Sequence, residues 1–425
     1  MASPPPVLPA RPAGTAAPAQ TERYTSALSA VTTLFFLWGF ITCLNDILIP
    51  YLKAIFQLSF TQANLINLCF FGAYFLMSIP SGKLVARLGY KRGMLLGFAV
   101  AALGAFLFYP AAAQRAYGLF LGALFVLASG ITLLQVAANP YVAILGPPES
   151  ASARLTLTQA FNSLGTTLAP LLGSALILSQ LPKLDTAASA AAIDVRAVQM
   201  PYVVIGAALL LISLLLSRVH LPAVVPPQEE STATGEQRSI WSHRHLVLGV
   251  VGIFAYVGAE VAIGSHIVSY VALPSVLGLD PKAAGDQVAF YWGAAMVGRF
   301  AGAYLLNKFA PAKLLAFNAV GAVVLVLISI STTGMVAMWS LLAVGLMNSL
   351  MYPTIFTLAM AGLGRQTEEG SGLLCTAIVG GALVPLLFGF IADHSTMRLA
   401  LLLPVVCYVY IMWYGLRGSR RAELA

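Results

Sequence analysis

Long apolar stretches follow one another along the chain, each cut off by a short polar segment. Residues 35–52, FFLWGFITCLNDILIPYL, show the texture: an almost unbroken apolar run that nonetheless holds Asn45 and Asp46 side by side. Apolar runs of about 18 or more residues with few charges read as membrane-crossing helices. Twelve such spans are predicted. Six fall at about 26–52, 61–86, 93–112, 117–144, 154–180 and 199–219, and six more at about 246–272, 284–307, 312–331, 335–361, 370–393 and 398–416. Several exceed the roughly 20 residues needed to cross, so tilt is expected. The longest polar stretch between spans, VPPQEESTATGEQRSIWSHRH, divides them six plus six. The expected organisation is a tail at 1–25, a six-helix half at 26–221, a linker at 222–245 and a second six-helix half at 246–425.

Composition agrees with this pattern. The chain is 59% hydrophobic and only 9% charged, whereas a soluble domain carries about 25% charged residues to wet its surface. The first twenty residues, rich in Pro and Ala, have no apolar core and so cannot be a signal peptide; they read as a disordered cytoplasmic tail. The net charge of +8 raises the thought of nucleic acid, but its distribution excludes that partner. Sixteen of the 23 Lys and Arg residues lie on the side of the amino terminus, six on the other, and Arg299 alone stays inside a span. That excess places both termini in the cytoplasm and the chain as a multi-pass protein of the inner membrane. The four cysteines, Cys43, Cys69, Cys375 and Cys407, all fall in apolar spans and read as packing residues.

The two halves resemble each other. SIPSGKLVARLGYKRGMLLG follows the second span and VGRFAGAYLLNKFAPAKLLA closes the eighth; both run from a helix glycine through a short basic turn into the next helix. Six-helix halves related by pseudo-symmetry form a transporter with its site near the midplane between them. GKLVARLGYKR resembles the loop 2–3 signature of the major facilitator superfamily, G-x-x-x-D-R-x-G-x-[RK]-[RK]. Gly82, Arg87, Gly89, Lys91 and Arg92 match, and Ala86 stands where the family has Asp. These residues, with Arg299, are the expected conformational gating elements, and the missing Asp removes the carboxylate of the usual latch.

Longer stretches narrow the resemblance. FFLWGFITCLNDILIP, LQVAANPYVAILGPPES, RLTLTQAFNSLG, YVGAEVAIGS and YPTIFTLAMAGLG are similar to the fucose/proton symporter family and, within it, to the bacterial glucose/galactose transporters. The resemblance implies the major facilitator fold: all-α, with twelve transmembrane helices in two pseudo-symmetric halves. It further implies import of glucose or galactose with a co-transported proton or sodium ion; a monomer with no other cofactor and no metal is expected.

Polar residues inside the spans are the candidate chemistry. A charged side chain at the centre of a membrane helix costs about 2.5–3.5 kcal/mol, so such residues usually face a protein interior or a water-filled cavity. Asp46 in the first span and Glu260 in the seventh, its counterpart, are the expected cation-coupling residues. In the fucose symporters the aspartate matching Asp46 handles the proton, and a glutamate stands where this chain has Gln135. Gln135 hydrogen-bonds but cannot titrate, so the proton pathway does not carry across whole, and amide oxygens such as those of Asn45 and Gln135 suit sodium. The resemblance favours protons; uncoupled facilitation, with Asp46 bonding a sugar hydroxyl, is the alternative. A drug exporter or a sugar sensor that moves nothing are two further readings.

A hexose presents several hydroxyls, each costly to desolvate without a partner, and amides supply both donors and acceptors. Gln135 and Asn139 share a helical face at i, i+4, as do Gln159 and Asn162 at i, i+3, and Asn348 and Tyr352 at i, i+4. Trp38, Tyr256 and Tyr352 could lie against the apolar face of a pyranose. With Asn45 these are the expected substrate residues; the plainer alternative for each is helix packing. Pro140, having no N–H, is expected to free the carbonyl of Val136 and loosen the fourth span there. No nucleophile motif, nucleotide loop or metal-ligand cluster is legible, which excludes the common enzyme classes.

Overall fold

The described elements are helical throughout, because a backbone in hydrocarbon must satisfy its own N–H and C=O groups. The structure is a computed structural model that describes residues 24–41, 43, 60–176, 195–222 and 239–420. Asn45, Asp46, most of the expected tail and the middle of the expected linker lie outside the described residues. In chain order the spans are α1 (Tyr24–Ile41), α2 (Phe60–Leu88), α3 (Tyr90–Ala113), α4 (Tyr117–Ile144), α5 (Ala151–Leu176) and α6 (Val195–Arg218). After the linker come α7 (Arg244–Val271), α8 (Pro281–Leu305), α9 (Pro311–Ser331), α10 (Gly334–Met360), α11 (Gly364–His394) and α12 (Met397–Gly418).

Ten of these are long and apolar enough to cross a membrane by length and composition; α5 and α8 are not among them. Their sequences say why. α5 carries Arg154, Thr156, Thr158, Gln159, Asn162 and Ser163, and α8 carries Lys282, Asp286 and Arg299. The two helices pack on each other across the seam between the halves, where Arg299 of α8 donates to Ser163 of α5.

Within the first half α3 packs on α4 and α6, and α2 on α4. In the second, α7 packs on α10, α11 and α12, and α9 on α10 and α12. Lipid tails are as apolar as leucine, so helices associate here by close backbone approach through small residues. α3 and α4 cross through Gly97, Ala101 and Gly130: a Cβ on Gly97 would stand 2.8 Å from the Leu134 nitrogen, and one on Gly130 would collide with the Ala101 nitrogen.

The halves join at the end that carries the basic α2–α3 turn. A Cβ on Gly82 would stand 2.8 Å from the Glu368 carbonyl oxygen, and one on Gly372 would stand 2.7 Å from that of Ser78, so the end of α2 lies directly on the start of α11. Across the other seam the Ser152 and Thr357 hydroxyls meet at 2.6 Å, and Ala153, Leu306 and Leu350 form a small buried cluster. Gly89 makes the α2–α3 turn at φ 81°, a backbone region that favours glycine. Lys91 then donates to the Ser217 carbonyl at 2.9 Å and ties α3 to the end of α6, while Arg87 and Arg92 stay exposed.

Two helices depart from the expected pattern. The predicted continuous span 335–361 is two segments, Gly334–Asn348 and Met351–Met360, broken just before Pro353. The span 370–393 passes through a 3-10 turn at Ala377–Val379. α4, by contrast, stays helical through Pro140 instead of loosening, because the carbonyl that proline frees finds a donor from another helix.

Candidate functional site

The seam between the halves opens into a cavity of about 180 Å³. Its wall is built from Trp38 (α1), Gln135 (α4), Gln159 and Asn162 (α5), Tyr256, Val257 and Glu260 (α7), Arg299 (α8), Tyr352 and Pro353 (α10) and Ile378 (α11). Both halves therefore contribute. The first supplies amides and a tryptophan; the second supplies two tyrosines and the charged pair.

Each amide is held by one of its groups. The Gln135 side-chain nitrogen donates to the Tyr74 hydroxyl at 2.6 Å, which leaves its oxygen available to the cavity. The Asn162 nitrogen donates to the Phe35 carbonyl on α1 at 2.9 Å. Close approach makes that bond possible: Cβ atoms on Gly39 or Gly165 would collide with the facing helix. Asn139 is fully buried and does not line the cavity. It donates to the Tyr352 hydroxyl at 3.2 Å and receives Gln159 at 3.5 Å, so it holds a tyrosine of one half and an amide of the other in place. Trp38 is nearly buried, its ring edge-on to Phe35 at 5.4 Å between centroids.

Glu260 accepts the Tyr256 hydroxyl at 2.7 Å, one turn before it on α7. It pairs with Arg299 at 3.7 Å, beyond hydrogen-bond reach. The guanidinium also donates to the Ser349 carbonyl at 3.3 Å and, across the seam, to the Ser163 hydroxyl. The carboxylate and the guanidinium thus both keep bonding capacity towards the cavity.

The structure thus gathers Trp38, Gln135, Gln159, Asn162, Tyr256, Tyr352 and Glu260 at one cavity. Three placements differ from the sequence reading. Asn139, expected to meet substrate, is buried behind the wall and holds Tyr352 and Gln159. Asn348 is fully buried and donates to the Tyr291 hydroxyl at 2.8 Å, away from the cavity, because the break after it takes it out of phase with Tyr352. Arg299, expected only as a gating residue, lies in the cavity wall. Tyr74 and Ser163 escaped the sequence reading altogether: Tyr74 is one aromatic among many in an apolar span, and Ser163, one turn after Gln159, was the available signal.

A polar cavity between two helix groups, in a chain with ten described helices long and apolar enough to cross a membrane, is the architecture of a secondary transporter. The sequence profile of the Major Facilitator Superfamily matches residues 28–377, and the chain belongs to that superfamily. Over 401 residues it is 54% identical to the glucose/galactose transporter of Brucella abortus, covering 94% of this chain and 95% of that one. Over 418 residues it is 36% identical to the L-fucose-proton symporter of Escherichia coli, with 95% of each covered. The crystal structure of the transporter FucP in the outward conformation matches with a TM-score of 0.86 at 36% identity, over 94% of this chain and all of that one. The protein is a multi-pass membrane transporter and not an enzyme.

Proposed function

We propose that the protein imports glucose or galactose across the inner membrane, coupled to a proton, by alternating exposure of the central cavity. The observation that carries the sugar assignment is the wall itself. Gln135, Gln159 and Asn162 offer amide groups for hydroxyls, and Trp38, Tyr256 and Tyr352 offer flat apolar faces. The 54% identity to a glucose/galactose transporter supports glucose or galactose over fucose. The chain works as a monomer with both termini cytoplasmic, so the joined end of the halves is the cytoplasmic gate. Gly82, Gly89 and the basic residues around them belong to that gate.

Coupling lies with Asp46 and Glu260. A cation entering down a potential of about 150 mV releases about 3.5 kcal/mol, enough to sustain a sugar gradient of a few hundredfold at about 1.4 kcal/mol per tenfold. Sodium is the second reading. One observation favours it: Gln135, bonded to Tyr74, offers a neutral oxygen and no titrating group.

Gln135→Ala and Asn162→Ala are each expected to raise the Km for glucose uptake roughly three- to tenfold, the worth of one neutral hydrogen bond. Wild-type Km in both would remove them from the site. Asp46→Asn is expected to abolish accumulation of sugar while sparing exchange across the membrane, and unchanged accumulation would take Asp46 out of the coupling step.

A further inference from the structure

Prolines in the two symmetry-related central helices, α4 and α10, each deprive a carbonyl of its helical donor, and in both cases a side chain from another helix takes that carbonyl. In α4, Pro140 has no N–H to give the carbonyl of Val136, four residues earlier. The Ser371 hydroxyl of α11 donates there at 2.9 Å, in a fully buried position. In α10, Pro353 likewise deprives the carbonyl of Ser349, and the Arg299 Nε donates to it at 3.3 Å. The same guanidinium reaches over the seam to the Ser163 hydroxyl of α5. Ser163 spends its own proton on the Gln159 carbonyl at 3.0 Å, so its oxygen is free to accept from Arg299. The residues just before the two prolines, Asn139 and Tyr352, touch each other across the seam.

Each proline-freed carbonyl is therefore the root of a bond that ties one half to the other: Val136 to Ser371 on one flank of the cavity, and Ser349 through Arg299 to Ser163 on the opposite flank. A buried carbonyl without a donor is costly, so the Val136–Ser371 bond is held while the halves are joined. It and the Arg299–Ser163 bond must be given up when the gate parts, whereas Ser349 keeps Arg299, its neighbour within the second half. We infer that Ser371 and the Arg299–Ser163 contact are positioning residues that hold the cytoplasmic gate shut, acting together as two latches on one closed state. The inference rests on the transporter reading but is tested through conformation alone, so its failure leaves the sugar assignment untouched.

The reporter is native. Cys375 lies one turn beyond Ser371 on α11, is fully buried, and sits in the segment of α11 that packs on α2 and α4. It stands on α11, not on α5 or α8, whose side chains the variants change. The experiment is the rate of Cys375 alkylation by a water-soluble maleimide in the purified full-length protein, read by peptide mass to separate it from the other three cysteines. Ser163→Ala is expected to raise that rate at least threefold, Arg299→Lys to do the same because it loses the two-pronged donor, and Ser163→Thr, which keeps the hydroxyl, to restore the wild-type rate. An unchanged rate in Ser163→Ala and Arg299→Lys, with both variants folded, overturns the proposal. A rise in Arg299→Lys alone also overturns it, since the effect would then come from Glu260 and not from the contact across the seam.

Discussion

Glu260→Ala is expected to abolish sugar transport and to destabilise the protein by roughly 3–5 kcal/mol, the cost of leaving one member of a buried ion pair without its partner. Glu260 is 9% exposed. Its loss leaves the Arg299 guanidinium facing two neutral oxygens, those of Ser163 and Ser349, inside a membrane. It also strands the Tyr256 hydroxyl in the cavity wall. Two companions separate stability from function. Glu260→Gln keeps the shape and an acceptor for Tyr256, and is expected to fold while losing coupled uptake. Glu260→Ala combined with Arg299→Ala removes both charges and is expected to regain part of the lost stability without regaining transport. Thermal unfolding of the detergent-purified variants, beside uptake in vesicles, checks both. Single losses that simply add in the double variant would show that the pair does not act as a unit.

Gly130→Val is expected to prevent accumulation of folded protein. A Cβ at this position would collide with the Ala101 nitrogen and come within 2.7 Å of both the Ala101 Cα and the Gly97 carbonyl oxygen. The obstacle is backbone, which no rotamer change relieves, so α3 and α4 must move apart along their whole crossing. Overpacking typically costs about 1–3 kcal/mol and occasionally more. A clash with backbone on the main packing surface of the first half belongs at or above the top of that range. The check is the yield of monodisperse protein after detergent extraction. Gly118→Val is the control, since a Cβ there meets nothing within 4 Å. Equal yields for the two would contradict the reading of this crossing.

What was legible in the sequence follows from periodicity and cost. The twelve spans could be read because hydrocarbon allows few charges over a crossing length. The acid at 260 stood out because it is expensive there. Helical spacing put Gln135 with Asn139, and Gln159 with Asn162, on common faces, and three of these four line the cavity while Asn139 lies behind it. That spacing failed at Asn348, where the helix breaks before Pro353 and phase is lost. It was silent on partners far apart in the chain. Pro140 frees the Val136 carbonyl, as its missing N–H dictates, but the expected loosening of α4 does not follow, because Ser371, 235 residues away, supplies the donor. Arg299 was visible as a charge within a span, yet its contacts with Glu260 and Ser163 depend on how α5, α7 and α8 converge. No local pattern encodes that convergence.

The most direct test of coupled hexose import is glucose and galactose uptake into proteoliposomes under a proton gradient and a sodium gradient imposed separately, each with the other ion equalised. Accumulation of at least one of these sugars above the outside concentration is expected with the proton gradient alone. Rapid equilibration of either sugar without accumulation under either gradient would contradict it and make the protein a facilitator.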